Sequence, residues 1–258
     1  GHSRVDADII IEKDACRAIV QNEAFPSLKH YDCSLYAIFP YDVDEELNVY
    51  RIPFSEYERR FPRAAQYLTK HKELICSKVQ TLPVLKKGYD ATEYWHLYTR
   101  EQNIKTIERK VVIPMSTIYP KATVINELGI YCDNSNVNFA SFQEDTTLLY
   151  AFAGIVNSLV FRVMAKKSAI EISGGYSKYN KQFLAVVPIP VEKFKSCDIE
   201  IMNISQLAQS IEEHNDAGET QSVDELVRQL NDEVKRLYEL SEVDYQIITQ
   251  GHEEAASI

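Results

Sequence analysis

Apolar residues recur along this chain with two different periods, which predict helices in some segments and strands in others. Between 146 and 164 they return every three or four positions, as expected for one long amphipathic helix. The same spacing predicts a helix over 61–68, with Pro62 in its first turn, where the missing N–H costs nothing. Further helices are predicted over 204–214 and 223–240.

Short runs of β-branched and aromatic residues predict strands. Proline, glycine or Asp-Asn pairs, which favour turns, bound most of these runs. The predicted strands cover 35–39, 111–113, 122–125, 129–132, 137–140 and 183–187. Shorter helices are expected at 12–20, 72–75 and 242–248, the last capped by Ser241. This pattern predicts an α+β fold: a mixed or antiparallel sheet with packed helices, followed by a helical C-terminal segment.

Changes in composition predict one main domain followed by a helical segment. Residues 1–3 are Gly-His-Ser without an initiator Met, and we interpret them as vector-derived. The main domain is predicted over 4–200, the helical segment over 201–250 and a disordered tail over 251–258. Because no initiator Met is present, we expect the chain to begin inside a longer protein.

The formal net charge of −10 is unevenly distributed. Residues 1–190 contain 23 Lys/Arg and 22 Asp/Glu, whereas residues 191–258 contain 5 and 16. Within the first part, residues 99–190 carry 10 basic and 7 acidic side chains. The acidity therefore belongs to the C-terminal segment, and the charge is compatible with a DNA-binding face earlier in the chain.

Several functional classes find no support in the sequence. The longest strongly apolar stretch, 148–156, is shorter than the roughly 18–20 residues of a membrane span, and no signal peptide is visible. The five cysteines are widely spaced, as expected for reduced cytoplasmic thiols rather than a zinc knuckle or a disulfide framework. No glycine-rich phosphate loop, nucleophile elbow or helical histidine pair occurs. We therefore assign no catalytic or metal-binding residue and expect no enzymatic activity from this chain alone.

Two short clusters contain part of the carboxylate and lysine pattern of metal-dependent nucleases. They are Glu12-Lys13 and Glu171-Ile172-Ser173, and neither follows a suitable aspartate. Such combinations also arise on solvated faces, so a stand-alone nuclease is kept as an alternative only.

Four segments, in order, carry a resemblance to a known family. The first comprises 36–42, 61–62 and 67–68, and the second comprises 95–103 and 110–114. The third comprises 148–158, 174–176, Tyr179 and 188–190, and the fourth is 234–241. Together they resemble the C-terminal specificity (target-recognition) domain of TaqI-like and type IIG restriction-modification N6-adenine DNA methyltransferases. The resemblance covers most of 9–248. The chain departs from the family at Thr99, where a glycine is usual.

The resemblance implies sequence-specific binding of double-stranded DNA by a module whose methyltransferase domain lies upstream in the parent protein. The family's catalytic half carries a glycine-rich S-adenosylmethionine loop and an Asn-Pro-Pro-Tyr-type motif, neither of which occurs here. S-adenosylmethionine is therefore expected as the parent's cofactor and not as a ligand of this chain. Endonuclease activity of the parent stays open. Because a target adenine must leave the helix to be methylated, this module is expected to grip the duplex around it.

One candidate DNA contact is the segment containing Arg100, Gln102 and Asn103. An arginine can donate to guanine O6 and N7, and Gln or Asn can pair with adenine N6 and N7. The alternative is structural, with Arg100 in an internal ion pair and the two amides capping turns.

The other candidate contact combines the end of the apolar helix with a glycine loop. Glycines permit close backbone approach to a phosphate or a groove, and tyrosines beside lysines suit a DNA surface. The alternative is an ordinary solvated loop. The residues are Lys166, Lys167, Ser173, Gly174, Gly175, Tyr176, Lys178 and Tyr179.

Other conspicuous residues are given structural interpretations. Trp95, the sole tryptophan, is expected in the core rather than stacked on a base. Arg59, Arg60 and Arg63 are expected on a solvated face rather than on phosphate. The acidic helices over 204–240 define one more alternative function, a protein-interaction module that docks on a partner subunit or on the parent's catalytic domain.

Overall fold

The structure, a computed structural model, describes residues 6, 8–20, 26–77, 88–98, 101, 108–132, 136–142 and 145–252. The strands are β1 (Cys16–Val20), β2 (Tyr36–Ile38), β3 (Tyr41–Val43), β4 (Val49–Arg51), β5 (Lys110–Pro114), β6 (Ser116–Thr117), β7 (Thr123–Ile125), β8 (Tyr131–Cys132), β9 (Val137–Ala140), β10 (Ile170–Glu171) and β11 (Ser177–Lys178). The helices are α1 (Phe54–Arg60), α2 (Pro62–Lys70), α3 (Lys72–Cys76), α4 (Ala91–Tyr94), α5 (Thr146–Asn157), α6 (Leu159–Ser168), α7 (Lys181–Leu184), α8 (Val191–Ser196), α9 (Ile199–Ala217), α10 (Thr220–Leu237) and α11 (Glu242–Thr249). The predicted α+β class and the helical C-terminal segment are confirmed.

The chain divides into two compact units. Unit 1 contains Gly1–Val20, Cys33–Ile107 and Gly129–Asn134. Unit 2 contains Gln21–Asp32, Glu108–Leu128 and Ser135–Ile258. The units therefore do not divide at residue 200, where composition predicted the end of the main domain.

Unit 1 is built around a short mixed sheet in the order β2-β1-β8. β1 pairs antiparallel with β2 and parallel with β8. The helix predicted over 12–20 is therefore wrong, because β-branched Ile19 and Val20 lie in β1, where they pair with Tyr131 and Cys132. β3 and β4 form a separate hairpin.

Two helices of unit 1 confirm the helices predicted over 61–68 and 72–75. Pro62 begins α2, and the predicted helix over 72–75 is α3. A distant side chain caps α2, because the Glu12 carboxylate accepts hydrogen bonds at 3.0 Å from the backbone N–H groups of Arg63 and Ala64. The inner faces of α1 and α2 pack with Trp95 in one hydrophobic cluster.

The core of unit 2 is the antiparallel sheet β7-β5-β9 packed against α5 and the C-terminal helices. Gly154 lets α5 approach α9 closely. A Cβ at this position would lie 2.8 Å from Ile204 Cγ2 and 3.2 Å from Leu230 Cδ1. A larger residue would therefore overpack this contact.

The single helix predicted over 146–164 is two helices, α5 and α6, bent by 66°. Ser158 lies at the break in extended conformation, and its Oγ accepts a hydrogen bond from the N–H of Phe161, which starts a new helix. The Leu159 N–H at the break donates to Asn231 Oδ1 at 2.7 Å. Tertiary partners therefore compensate the interrupted backbone hydrogen bonds.

Unit 2 has a small second sheet in the order β10-β11-β6. Its strands β10 and β11 follow α6 in the chain, whereas β6 precedes it. Ile170 pairs with Lys178, and Glu171 pairs with Ser177. The strand predicted over 183–187 is wrong, because this segment begins with helix α7. The N–H groups of Phe183 and Leu184 both donate to the carbonyl of Asn180, which closes a helical turn.

Helices α9 and α10 belong to the core of unit 2. They form a helical hairpin joined at Gly218, whose φ of 78° suits glycine. Their apolar faces are buried against α5 and its neighbours. Ser241 caps α11 with a capping box, which confirms the predicted cap. The predicted tail lies outside the described residues from 253 onward.

Among the described residues, no single helix has both the length and the apolar character needed to cross a membrane.

Candidate nucleic-acid interface

Most residues of the first candidate contact lie outside the part of the chain that the structure describes. Arg100, Gln102 and Asn103 are outside the described residues. Glu101, between them, is described and forms a two-point ion pair with Arg51, whose Nε lies 2.9 Å from Glu101 Oε1. The DNA contacts proposed for this segment stay predictions.

The second candidate contact is a β-hairpin, where the sequence predicted a loop. Lys166, at the end of α6, holds this hairpin in place. Its Nζ donates to the carbonyl of Gly175 at 3.0 Å and to Ser177 Oγ at 2.8 Å, and lies 5.7 Å from the centre of the Tyr119 ring. Lys166 therefore orders the tip through three contacts instead of presenting an unengaged ammonium group.

The tip of the hairpin requires glycine. Ser173, Gly174 and Gly175 form one exposed turn. Gly174 has φ of 77° and Gly175 has φ of 79°, which side chains with a Cβ rarely adopt. A Cβ on Gly175 would meet no atom within 4 Å, so the space beside the tip is open.

The remaining predicted residues of this loop separate into two groups. Lys167, Tyr176 and Lys178 are exposed, as a DNA contact requires. Tyr179 is fully buried, and its hydroxyl donates to the carbonyl of Ile118 at 2.8 Å. The prediction that Tyr179 contacts DNA is therefore corrected: this side chain anchors the hairpin to the core.

Two exposed isoleucines on the same hairpin were not among the predicted site residues. Ile170 is 52% exposed and Ile172 is 36% exposed. The missed signal is the Ile-Glu-Ile alternation over 170–172, which has the two-residue period of a strand but is very short. Three residues are too few to predict a strand directly before a glycine-rich segment, which favours a loop.

A further basic residue of α6 is internal. Arg162 is buried, and its guanidinium donates to the carbonyl of Pro120 at 3.1 Å, to Ser27 Oγ at 3.1 Å and to Asn157 Oδ1 at 3.2 Å. Burial lowers the pKa of Arg162 to about 10. Arg162 therefore fastens neighbouring segments and lies away from any surface for DNA.

The structural interpretation of Trp95 is confirmed. Trp95 is 2% exposed within the core of unit 1. The arginine cluster divides, because Arg59 and Arg63 are exposed whereas Arg60 forms a two-point ion pair with Asp42, with contacts of 2.6 and 2.8 Å. The expectation of a solvated face therefore applies to Arg59 and Arg63 only.

The two glutamates of the nuclease alternative have different structural roles. Glu12 caps α2, as described above, and Glu171 is an exposed residue of β10. In the described part of the chain, no group of three or more His, Cys, Asp or Glu side chains is arranged to hold a metal ion.

Comparison with models of known protein families finds no match, and comparison with curated proteins also finds none.

Proposed function

We propose that this chain binds double-stranded DNA sequence-specifically, as the target-recognition domain of a restriction-modification adenine-N6 DNA methyltransferase. The sequence resemblance supports the family. In this proposal the catalytic domain and its S-adenosylmethionine belong to the upstream part of the parent chain, and the protein acts in the cytoplasm.

The observation that carries DNA binding is the basic hairpin of unit 2. Residues 165–190 contain four lysines and one glutamate, which gives this part of an acidic chain a positive charge. Lys167, Lys178 and Lys181 are exposed, and no ion pair engages them among the residues described. A fixed glycine tip between unpaired lysines suits close approach to a phosphate backbone.

Salt-dependent binding tests this function. Fluorescence anisotropy with a random pool of duplexes, followed by selection of the bound fraction, would give both an affinity and a preferred site. Each phosphate contact adds about −0.9 to the slope of log K against log salt. We expect Lys167→Met and Lys178→Met each to make that slope shallower by about one.

Lys195→Met is the matched control. Lys195 is also exposed in unit 2 but pairs with Glu192 at 3.2 Å, so its loss should leave the slope unchanged. Binding that is absent, or that shows no dependence on salt, would contradict the proposed function.

A further inference from the structure

The β10–β11 hairpin has one outward face that is mainly apolar. Cross-strand pairs share a face, so Ile170 lies beside Lys178, and Ile172, whose N–H donates to the carbonyl of Tyr176 at 2.8 Å, lies beside Tyr176. All four side chains are exposed, Tyr176 by 46%. We call these four residues the outer hairpin face.

On the opposite face Glu171 pairs with Ser177, and Glu171 is exposed whereas Ser177 packs against the protein itself. Ser177 is buried there and accepts the hydrogen bond from Lys166. Ile118, which follows the neighbouring strand β6, is 45% exposed, so a further apolar side chain lies exposed next to the sheet's β6 edge. Contiguous exposed apolar side chains, such as those of Ile170, Ile172 and Tyr176, are typical of binding surfaces.

The charge around this face favours a nucleic acid as its occupant. The exposed lysines 167, 178 and 181 come from the face itself or from the segments next to it in sequence. Acidic charge is limited to Glu171 within 165–190. An apolar strip accompanied by exposed lysines is complementary to a duplex groove, which has phosphates along its walls.

The chemistry of the groove then determines what the isoleucines contact. The major groove of B-form DNA admits a β-ribbon, and the β10–β11 hairpin forms the β10 side of its three-stranded sheet. The C5-methyl group of thymine is the one methyl group that the four bases present in this groove. We infer that the outer hairpin face selects thymine-containing sites through contact of Ile170 and Ile172 with thymine methyl groups. This inference rests on the proposed function and names its base preference.

Replacing thymine by deoxyuridine tests the inference, because it removes only the methyl group. The probe is the duplex selected from the random pool, synthesised with thymine or with deoxyuridine. The wild-type chain should bind the deoxyuridine duplex about fourfold more weakly for each methyl contacted, the effect of one buried methyl-sized group. The double variant Ile170→Ala/Ile172→Ala should bind both duplexes equally.

Ile247→Ala is the matched control, since Ile247 is 65% exposed on α11 of the same unit. It should discriminate thymine from deoxyuridine as the wild type does. Equal affinity of the wild type for the two duplexes overturns the inference, as does a selected site without thymine or discrimination retained by the double variant. Loss of all salt-dependent duplex binding would overturn the proposed function, and the inference with it.

Discussion

His96 is a neutral histidine enclosed by aromatic rings in unit 1. Its ring lies 5.2 Å from Phe54, 5.4 Å from Tyr57 and 5.8 Å from Trp95, between centroids. Within the described residues neither ring nitrogen has a partner in good hydrogen-bond geometry. Burial lowers the pKa of His96 to about 4, from an ordinary value of 6.5, against the weaker influence of the Ile52 backbone, which raises the pKa.

This lowered pKa predicts that unit 1 loses stability in mild acid. In the unfolded chain His96 takes up a proton as the pH falls below about 6.5, whereas in the folded chain it stays neutral until about pH 4. The stability that neutral His96 contributes to the folded state is therefore fully present above the pKa of the unfolded chain, and it is lost as the pH falls from there toward the folded pKa of about 4. Between about pH 7 and pH 5 the free energy of unfolding should drop by about 2 kcal/mol. Urea denaturation followed by Trp95 fluorescence measures this in unit 1.

His96→Phe separates this effect from other titrating groups. The phenyl ring preserves the aromatic packing and cannot be protonated, so the variant should lose about 2 kcal/mol less than the wild type over the same pH interval. His30→Gln is the control, because His30 is exposed in unit 2. Identical pH dependence in the wild type and His96→Phe would show that His96 does not control the acid response.

At the scale of elements, the position of the hairpin depends on one side chain of the preceding helix. Lys166 of α6 contacts Gly175, Ser177 and Tyr119 at once. Lys166→Met keeps the aliphatic stem but removes two hydrogen bonds, each contributing about 1 kcal/mol. Amide hydrogen exchange over 172–177 should therefore accelerate by about tenfold or more.

Lys167→Met, one residue further along, is the control for this prediction. Lys167 is exposed, so its substitution should leave exchange in the hairpin unchanged. Equal exchange in Lys166→Met and the wild type would mean that the pairing of β10, β11 and β6 orders the hairpin by itself.

At the scale of the whole molecule, we expect the C-terminal helices to be required for unit 2 to fold. Ile201, Ile204 and Ile211 of α9 and Leu230 of α10 are all completely buried in its core. Each contributes about 1.5–3 kcal/mol by burial, so together they rival the entire stability of a typical domain. A chain ending at residue 200 should lack a cooperative unfolding transition for unit 2.

Truncation after Leu240 provides the comparison. It removes α11, which covers Leu159 and Val163 through Tyr245 and Ile248, but retains α9 and α10. We expect a folded chain of reduced thermal stability, measured by circular dichroism and calorimetry. Cooperative unfolding of unit 2 in the chain ending at 200 would restore the boundary that composition predicted.

Local rules explain which parts of the fold were predictable. Strands β5, β7 and β9, helix α2 and the capped helix α11 were all predicted, because alternation, proline placement and capping act over a few residues. The errors at 12–20, 158 and 183–187 have another origin. At 12–20 and at 158 the outcome depended on a pairing partner or a buried contact that lies far away in sequence, whereas at 183–187 a helical turn starting at Asn180 replaced the strand.

The sequence by itself determined the α+β class, the helical C-terminus, the burial of Trp95 and the basic glycine segment at 166–178, because composition and periodicity encode these features locally. Only the tertiary structure decided that Lys166 binds the hairpin and Tyr179 points into the protein, whereas Ile170 and Ile172 point out of it. For the isoleucines, the physical reason is that β10 becomes a strand by pairing with β11, and that pairing assigns each side chain to one face. Contacts between segments far apart in sequence also place the acidic helices in the core of unit 2, since their apolar faces are buried against α5, more than forty residues earlier.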